Sequence, residues 1–328
     1  MDICVPTLYV IETKNNVMGT THIISIAYTE IIFMKLTYFK GSVPNFGDEL
    51  NEYMWHKLVP PGFLDEDDSE LFLGIGSIIW NNLPKAAKKH VIGSGYGGYT
   101  DRPDLNDGSW NVVFVRGPRT AALLDIPADK AIGDSAILLR LLELPAPEKK
   151  LDIAFMPHFH SFDRGFWPEV CKLAGIRLID PRGDVETILS EVRGAKALIT
   201  EAMHGAIVAD AVRTPWVAAK PIHVENQMKW LDWAESLNIS LRPHALAPSS
   251  LLEAHLRLSK TRKNHGQRAF RLNKSALAKP FNQILTHFAA RQLQKLTSVE
   301  PQLSKDSDIA RATERASTAL DQFVAGRA

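Results

Sequence analysis

The stretch Ile199-Thr200-Glu201-Ala202-Met203-His204-Gly205-Ala206-Ile207-Val208-Ala209-Asp210-Ala211 decides how the chain is read. The apolar run Ala195-Lys196-Ala197-Leu198-Ile199 leading into it reads as a short buried strand, and the small residues after Gly205 read as a helix. The turn between them carries Glu201 and His204 past the carboxyl end of a strand, where ligands sit in open α/β sheets. A helix N-terminus adds unpaired N–H groups and the positive end of a dipole, which suits phosphate or carboxylate. Gly205, lacking a Cβ, admits a close approach to the backbone. His204 is therefore a candidate catalytic or anion-contacting residue, with Glu201 beside it. The alternative is a capping loop whose histidine is simply solvated.

Outward from this turn the same logic repeats. Strand-like runs at 35–39, 71–77, 90–98 and 112–118 each end in a glycine turn, and helical patterns follow at 119–124 and 133–142. The loop 40–47 opens a helix at Asp48-Glu49, where an acidic residue is also a plain N-cap. After the proline-rich, charged stretch 144–150 a second set follows, with strands at 151–156, 176–179, 195–200 and 216–219 and helices at 167–174, 185–193, from 205, and 227–236. The expectation is an α/β protein of two Rossmann-like domains facing a cleft, 34–147 and 148–250. Residues 1–33 form an N-terminal extension outside the core, and 251–328 a basic helical C-terminal extension and tail.

Composition sets the outer limits. At 328 residues, 45% hydrophobic and 23% charged, the chain is that of a globular protein large enough for two domains. A formal charge of +1 gives no overall pull toward nucleic acid. Cys4 and Cys171 are the only cysteines, so neither a disulfide framework nor a cysteine-rich zinc site is available, and a reducing cytoplasm fits. No uninterrupted apolar run is long enough to span a bilayer. Charge is uneven, however: residues 254–299 hold ten Lys or Arg and no Asp or Glu. Within them Phe281, Ile284, Leu285, Phe288 and Leu296 fall roughly on one helical face. Such a helix either packs that stripe on the domains or lies on an anionic membrane. Residues 301–328 are polar and read as a frayed helix or disordered tail.

Familiar cofactor motifs are missing. Neither Gly74-Ile75-Gly76-Ser77 nor Gly93-Ser94-Gly95-Tyr96-Gly97-Gly98 completes a dinucleotide fingerprint, and no Walker A lysine is present. His158 and His160 lack a third ligand at a metal spacing. Arg116, ending a strand, and Arg119, in the first turn of a helix, invite an anion between them, since a cation at a helix N-terminus opposes the dipole. An ion pair with Asp134 or Asp125 would serve as well. Lys220 and His223, beyond the strand at 216–219, also face the expected cleft.

Together, Asn45-Phe46-Gly47-Asp48-Glu49-Leu50-Asn51, Gly93-Ser94-Gly95, Val115-Arg116-Gly117-Pro118-Arg119-Thr120, Gly133-Asp134-Ser135-Ala136 and Glu201-Ala202-Met203-His204-Gly205 resemble the polysaccharide pyruvyl transferases, in particular the ketal pyruvyltransferases of exopolysaccharide synthesis of the succinoglycan type. The resemblance covers roughly residues 35–245. It implies a GT-B-like fold and transfer of pyruvate from phosphoenolpyruvate to two hydroxyls of a sugar on a lipid-linked oligosaccharide, with phosphate released. It needs no cofactor beyond phosphoenolpyruvate as co-substrate and no metal. It implies a cytoplasmic protein, at the inner membrane face if 254–299 meets anionic lipid. Family members often carry an arginine where this chain has Ala202, so Arg116, Arg119 or Lys220 must supply that contact.

The expected chemistry needs a proton delivered to the enol carbon, a task for histidine, and fixed cations to hold carboxylate and phosphate. His204, Glu201 and Asp48 are the catalytic candidates. Asn45, Gly76, Ser77, Gly93, Ser94, Gly95, Arg116, Arg119, Gly205 and Lys220 are the substrate-binding candidates. The competing readings are a GT-B glycosyltransferase using a nucleotide sugar and a non-catalytic anion- or sugar-binding protein.

Overall fold

Buried Met34 and Leu36 alternate with half-buried Lys35 and Thr37 along β1 (Met34–Thr37), the period of a half-covered strand. The computed structural model describes residues 34–148, 151–220, 225–259 and 267–327; the expected extension 1–33 and His223 lie outside them. Helix α1 (Phe46–Leu58) opens with Asp48 and Glu49 in its first turn. Strands β2 (Leu64–Asp65), β3 (Glu70–Leu73), β4 (Lys88–Ile92) and β5 (Trp110–Phe114) join β1 in a parallel sheet of order β2-β1-β3-β4-β5. Helix α2 (Pro118–Leu123) follows with proline in its first turn. The helix expected from 133 to 142 is instead a 3₁₀ helix over Ser135–Leu141, capped by the Asp134 carboxylate, which accepts from the Ala136 N–H at 3.0 Å. Ser135 to Leu139 are buried in succession, so no solvent face marks an α-helical period there.

The second half is built likewise. β6 (Leu151–Met156), α3 (Phe159–Arg164), α4 (Trp167–Ala174), β7 (Arg177–Leu178), α5 (Val185–Gly194), β8 (Ala195–Thr200), α6 (Met203–Ala211) and β9 (Trp216–Ala218) give a parallel sheet of order β7-β6-β8-β9. Both sheets are parallel and Rossmann-like, but only the second has a helix in every crossover; in the first, α1 joins β1 to β2 and the later connections carry no helix. Gly205 lets α6 lie close on the strands: a Cβ there would fall 2.5 Å from Thr200 Oγ1 and 2.8 Å from Met156 Sδ. Both sheets belong to one compact unit.

Helix α7 (Glu225–Ser236) follows the second sheet in sequence but is fastened to the first half. Asp232 Oδ1 accepts from the N–H groups of Arg119 and Thr120, both at 2.9 Å, and so caps α2 from outside. Its Oδ2 accepts from Thr120 Oγ1 at 2.6 Å and from Arg116 Nε at 3.0 Å.

Helices α8 (Leu251–Ser259), α9 (Gln267–Asn273), α10 (Lys279–Leu296) and α11 (Asp306–Ala325) complete the chain. The expectation of a frayed or disordered tail is corrected here. Helix α11 buries Ile309, Ala312, Ala316, Leu320 and Phe323 in the main core. Those residues recur every three or four positions, a stripe too thin to register in composition but of helical period. Helix α10 splits the stripe expected on one face, since Leu296 is buried while Phe281, Ile284 and Phe288 are exposed. It packs on α4 and buries Ala289, Ala290, Leu293 and Leu296, while Asn282 and Thr286 are buried toward Leu251, Asn273 and Ser249 and Phe281, Ile284 and Phe288 face outward. Among the described residues, no helix is long and apolar enough to cross a membrane.

Arg116 and Asp232 are 0% and 3% exposed at their side chains, so the pair spans the halves out of water. Asp232→Ala leaves a buried guanidinium uncompensated and is expected to cost about 3–5 kcal/mol of unfolding free energy. Urea denaturation measures this; a loss below about 1 kcal/mol, the worth of an exposed pair, would contradict it.

Candidate active site

Beyond the carboxyl ends of β1, β3, β6 and β8 lies a cavity of about 620 Å³, the size of a small-molecule site. Its walls come from separate elements: Asn45 to Asp48 at the start of α1, Gly76 to Ile78 after β3, His158 to His160 and Arg164 around α3, Ala202 to His204 at the start of α6, and Lys229 and Trp230 on α7. Each segment is the loop or first helical turn after a strand, except α7, which Asp232 brings across. Phe39, Trp80, Tyr99 and Phe159 add aromatic surface.

His204 sits in the first turn of α6 with its side chain 13% exposed. Nδ1 lies against Gly47; a Cβ on that residue would fall 2.0 Å from it. Only glycine lets α1 pass this close to the ring. On the other side Nε2 is 3.6 Å from Asp134 Oδ2, beyond a good hydrogen bond but within ion-pair range. Both atoms are buried, and neither has a hydrogen-bond partner among the described residues. Asp134 is fixed through its other oxygen, the cap of the 3₁₀ helix. The carboxylate beside the imidazole thus comes from the first half and the imidazole from the second. In the sequence Asp134 stands out only within the Gly133-Asp134-Ser135 motif and as an ion-pair candidate for Arg116 and Arg119.

Glu201 is 2% exposed and holds α3 in place. It accepts from the His158 N–H at 3.1 Å and from Ser161 Oγ at 2.9 Å, and its charge acts on Arg164. Asp48 lines the cavity and accepts from Asn45 Nδ2 at 2.7 Å. Burial pushes its carboxyl above the ordinary range, opposed by the Asn45 bond and by the charges of His204 and Lys229.

The cations are arranged differently from the pair expected. Arg116 lies behind the wall, bonded to Asp232 and donating from Nη1 to the Ser77 hydroxyl at 2.8 Å; its Nη2 is buried without a partner among the described residues. Its carboxylate is Asp232 rather than Asp134 or Asp125. Arg119 is engaged by Glu235 at 2.6 Å, and neither Arg119 nor Lys220 lines the cavity. Two cations that the sequence reading left out do line it, Arg164 and Lys229. Arg164 ends α3 at 7% exposure, where burial lowers its pKa while Glu201, Glu253 and Asp163 favour its charge. Lys229 Nζ stands 5.1 Å from the centre of the Tyr99 ring, a cation–π distance. Arg164 lies between the strand expected at 151–156 and the helix expected at 167–174, and Lys229 on an expected helix with nothing in its neighbours to mark it.

Of the glycine turns, Gly76 and Ser77 line the cavity, whereas Gly93, Ser94, Gly95 and Gly205 stand behind it. The Ser94 hydroxyl donates to the carbonyls of Leu73 and Gly74, and the Arg116 guanidinium covers Gly95. Among the described residues no group of three or more His, Cys, Asp or Glu side chains is placed to hold a metal ion.

The site therefore offers an acid–base imidazole backed by a carboxylate, a second and partly desolvated carboxylate, two cations and aromatic walls. Comparison with known proteins gives this chemistry a family. A sequence model described as polysaccharide pyruvyl transferase matches residues 46–219, which include Gly47, Asp48, Asp134, Arg164 and His204. The succinoglycan biosynthesis protein ExoV of Rhizobium meliloti (strain 1021) is 34% identical over 319 residues, covering 88% of this chain and 98% of its own length. The chain belongs to the polysaccharide pyruvyl transferase family and is a transferase.

Proposed function

We propose that the cavity takes phosphoenolpyruvate and transfers its pyruvyl group to two hydroxyls of a sugar, forming a ketal and releasing phosphate. The acceptor in this reading is a lipid-linked repeat unit of an exopolysaccharide, and the two sheets act as the facing halves of a GT-B-like enzyme. The observation that carries the reading is the His204 imidazole set 3.6 Å from a buried Asp134 carboxylate in a cavity that Arg164 and Lys229 also line.

The residues divide the work by charge. Arg164 and Lys229 hold the carboxylate and phosphate of the donor, a fixed pair of cations that needs no reorganisation as charge moves. Protonated His204, its charge held by Asp134, delivers a proton to C3 of the enol, which leaves C2 electrophilic. The first sugar hydroxyl adds to C2 as its proton passes to Asp48. The bond from C2 to the phosphate oxygen breaks, and the second hydroxyl adds at C2 while its proton leaves with phosphate. Return of the proton from Asp48 to His204 resets both groups, and the sum is phosphoenolpyruvate plus a diol giving ketal plus hydrogen phosphate. Trp80, Tyr99 and Phe159 offer flat apolar surface for the sugar.

Incubation with phosphoenolpyruvate and candidate glycans should yield a ketal by mass spectrometry together with inorganic phosphate, and no turnover of a UDP- or GDP-sugar. His204→Ala should lower that rate on the order of 10²-fold or more, and Asp134→Asn at least about tenfold. Nucleotide-sugar turnover would favour a glycosyltransferase. Unchanged substrate affinity with no ketal from either protein would favour a binding protein.

Asp48 supplies a test of opposite sign. Its folded-state pKa lies above the unfolded value, so its ionisation opposes folding. That contribution to stability is fully present below the ordinary carboxylate value of about 3.9 and is lost as pH rises through the raised value. Asp48→Asn keeps an acceptor for Asn45 and abolishes the titration. It should unfold at a higher temperature than the natural protein at pH 7, with the gap closing as pH is lowered, while ketal formation falls. Calorimetry across pH checks this; a variant less stable at neutral pH would contradict it.

A further inference from the structure

We propose that the outward face of α10 is a docking surface for an anionic lipid bilayer. Phe281, Ile284 and Phe288 on that helix are 59%, 56% and 58% exposed. With Arg291 and Lys295 they are spaced three, four, three and four residues apart, so all five form one stripe along the helix. The stripe runs about 21 Å at 1.5 Å per residue. Three apolar side chains occupy its first half and two cations its second. Leu277, 80% exposed just before the helix, extends the apolar end.

Nothing within the described residues covers this face. The opposite face of α10, through Ala289, Ala290 and Leu293, packs on the second sheet's layer and joins Phe155 and Trp167 in a core. Core packing therefore does not explain why large apolar residues were placed outside. Charge identifies the occupant. Residues 254–299 carry ten Lys or Arg and no acid in a chain whose formal charge is only +1, so the rest of the molecule is acidic and the cations are concentrated on one segment. Apolar side chains that enter the boundary between headgroups and acyl chains, flanked by cations that meet lipid phosphate, are what an anionic interface binds. Self-pairing of two copies would set this all-cationic segment against itself, which like-charge repulsion disfavours.

The face is joined to the cavity by hydrogen bonds. Asn282 of α10 accepts from the Leu251 N–H at 2.8 Å and donates to the Asn273 carbonyl at 2.7 Å. Ser250 and Asn273 in turn donate to the carbonyl of Arg164, at 2.8 and 3.2 Å. The helices that present the stripe thus also fix the end of α3. This surface stands apart from the pyruvyl-transfer reading and survives if that reading fails.

Co-sedimentation of the full-length protein with vesicles tests the proposal. Vesicles containing phosphatidylglycerol should carry the protein down, vesicles of phosphatidylcholine alone should not, and high salt should weaken the binding. The triple variant F281S/I284S/F288S and the double variant R291E/K295E should each bind at least about tenfold more weakly, with thermal unfolding unchanged because all five side chains are exposed. Should the triple variant misfold, the charge variant decides alone. Equal binding by natural and variant proteins, or no binding of the natural protein to phosphatidylglycerol, would overturn the proposal. So would a dimer in light scattering that the triple variant turns into a monomer, since the face would then belong to a second copy.

Discussion

The site rests on the seating of one imidazole. His204 fits only because Gly47 has no side chain and because Asp134 stands on the far side of the ring. Three segments far apart in sequence must arrive within a few ångströms of one another: Gly47 and His204 come at the turns that follow β1 and β8, and Asp134 as the cap of the 3₁₀ helix, just past Ala131, which bridges Val115 in parallel. Such turns all open at one edge of a sheet, which is why catalytic groups gather there. Two sheets whose carboxyl edges contribute to one cavity bring a carboxylate from the first and a histidine from the second.

Holding that convergence requires charges buried away from water. Asp232 ties α7 to α2 and neutralises Arg116, and the tie also delivers Lys229 and Trp230 to the cavity wall. On the other side, Glu253 is fully buried, takes bonds from Ser249 and Trp167, and with Glu201 favours the charge of Arg164. Burial pushes the Glu253 carboxyl upward, while those bonds and Arg164 pull it down. Removing any one of these partners strands another charge, so the frame tolerates substitution poorly even where no substrate touches it.

Much of this frame was legible in the sequence, and what was missed has physical causes. Strand β8 and helix α4 stand where the sequence puts them, β8 because a continuous apolar run marks a buried strand and α4 because its buried residues share one helical face. The 3₁₀ helix over Ser135–Leu141 is hard to read because burial on all sides erases the period, and α11 because a thin stripe of Ile, Ala, Leu and Phe hides among polar residues. His204 was singled out by its place between strand and helix. Arg164 and Lys229 were not, since their positions depend on how α3 and α7 fold back on the sheets, which local pattern does not encode. Arg116 and Arg119 attracted notice for a sound reason, a cation at a helix N-terminus in need of an anion. Asp232 and Glu235, more than a hundred residues later, supply it.

A crystal structure of the protein with phosphoenolpyruvate tests the account most directly. The account predicts C3 of the donor within about 3.5 Å of the His204 ring, the reach of a reactive contact, with carboxylate and phosphate on Arg164 and Lys229. Donor density outside this cavity, or inside it with the enol carbon turned away from His204, would contradict it.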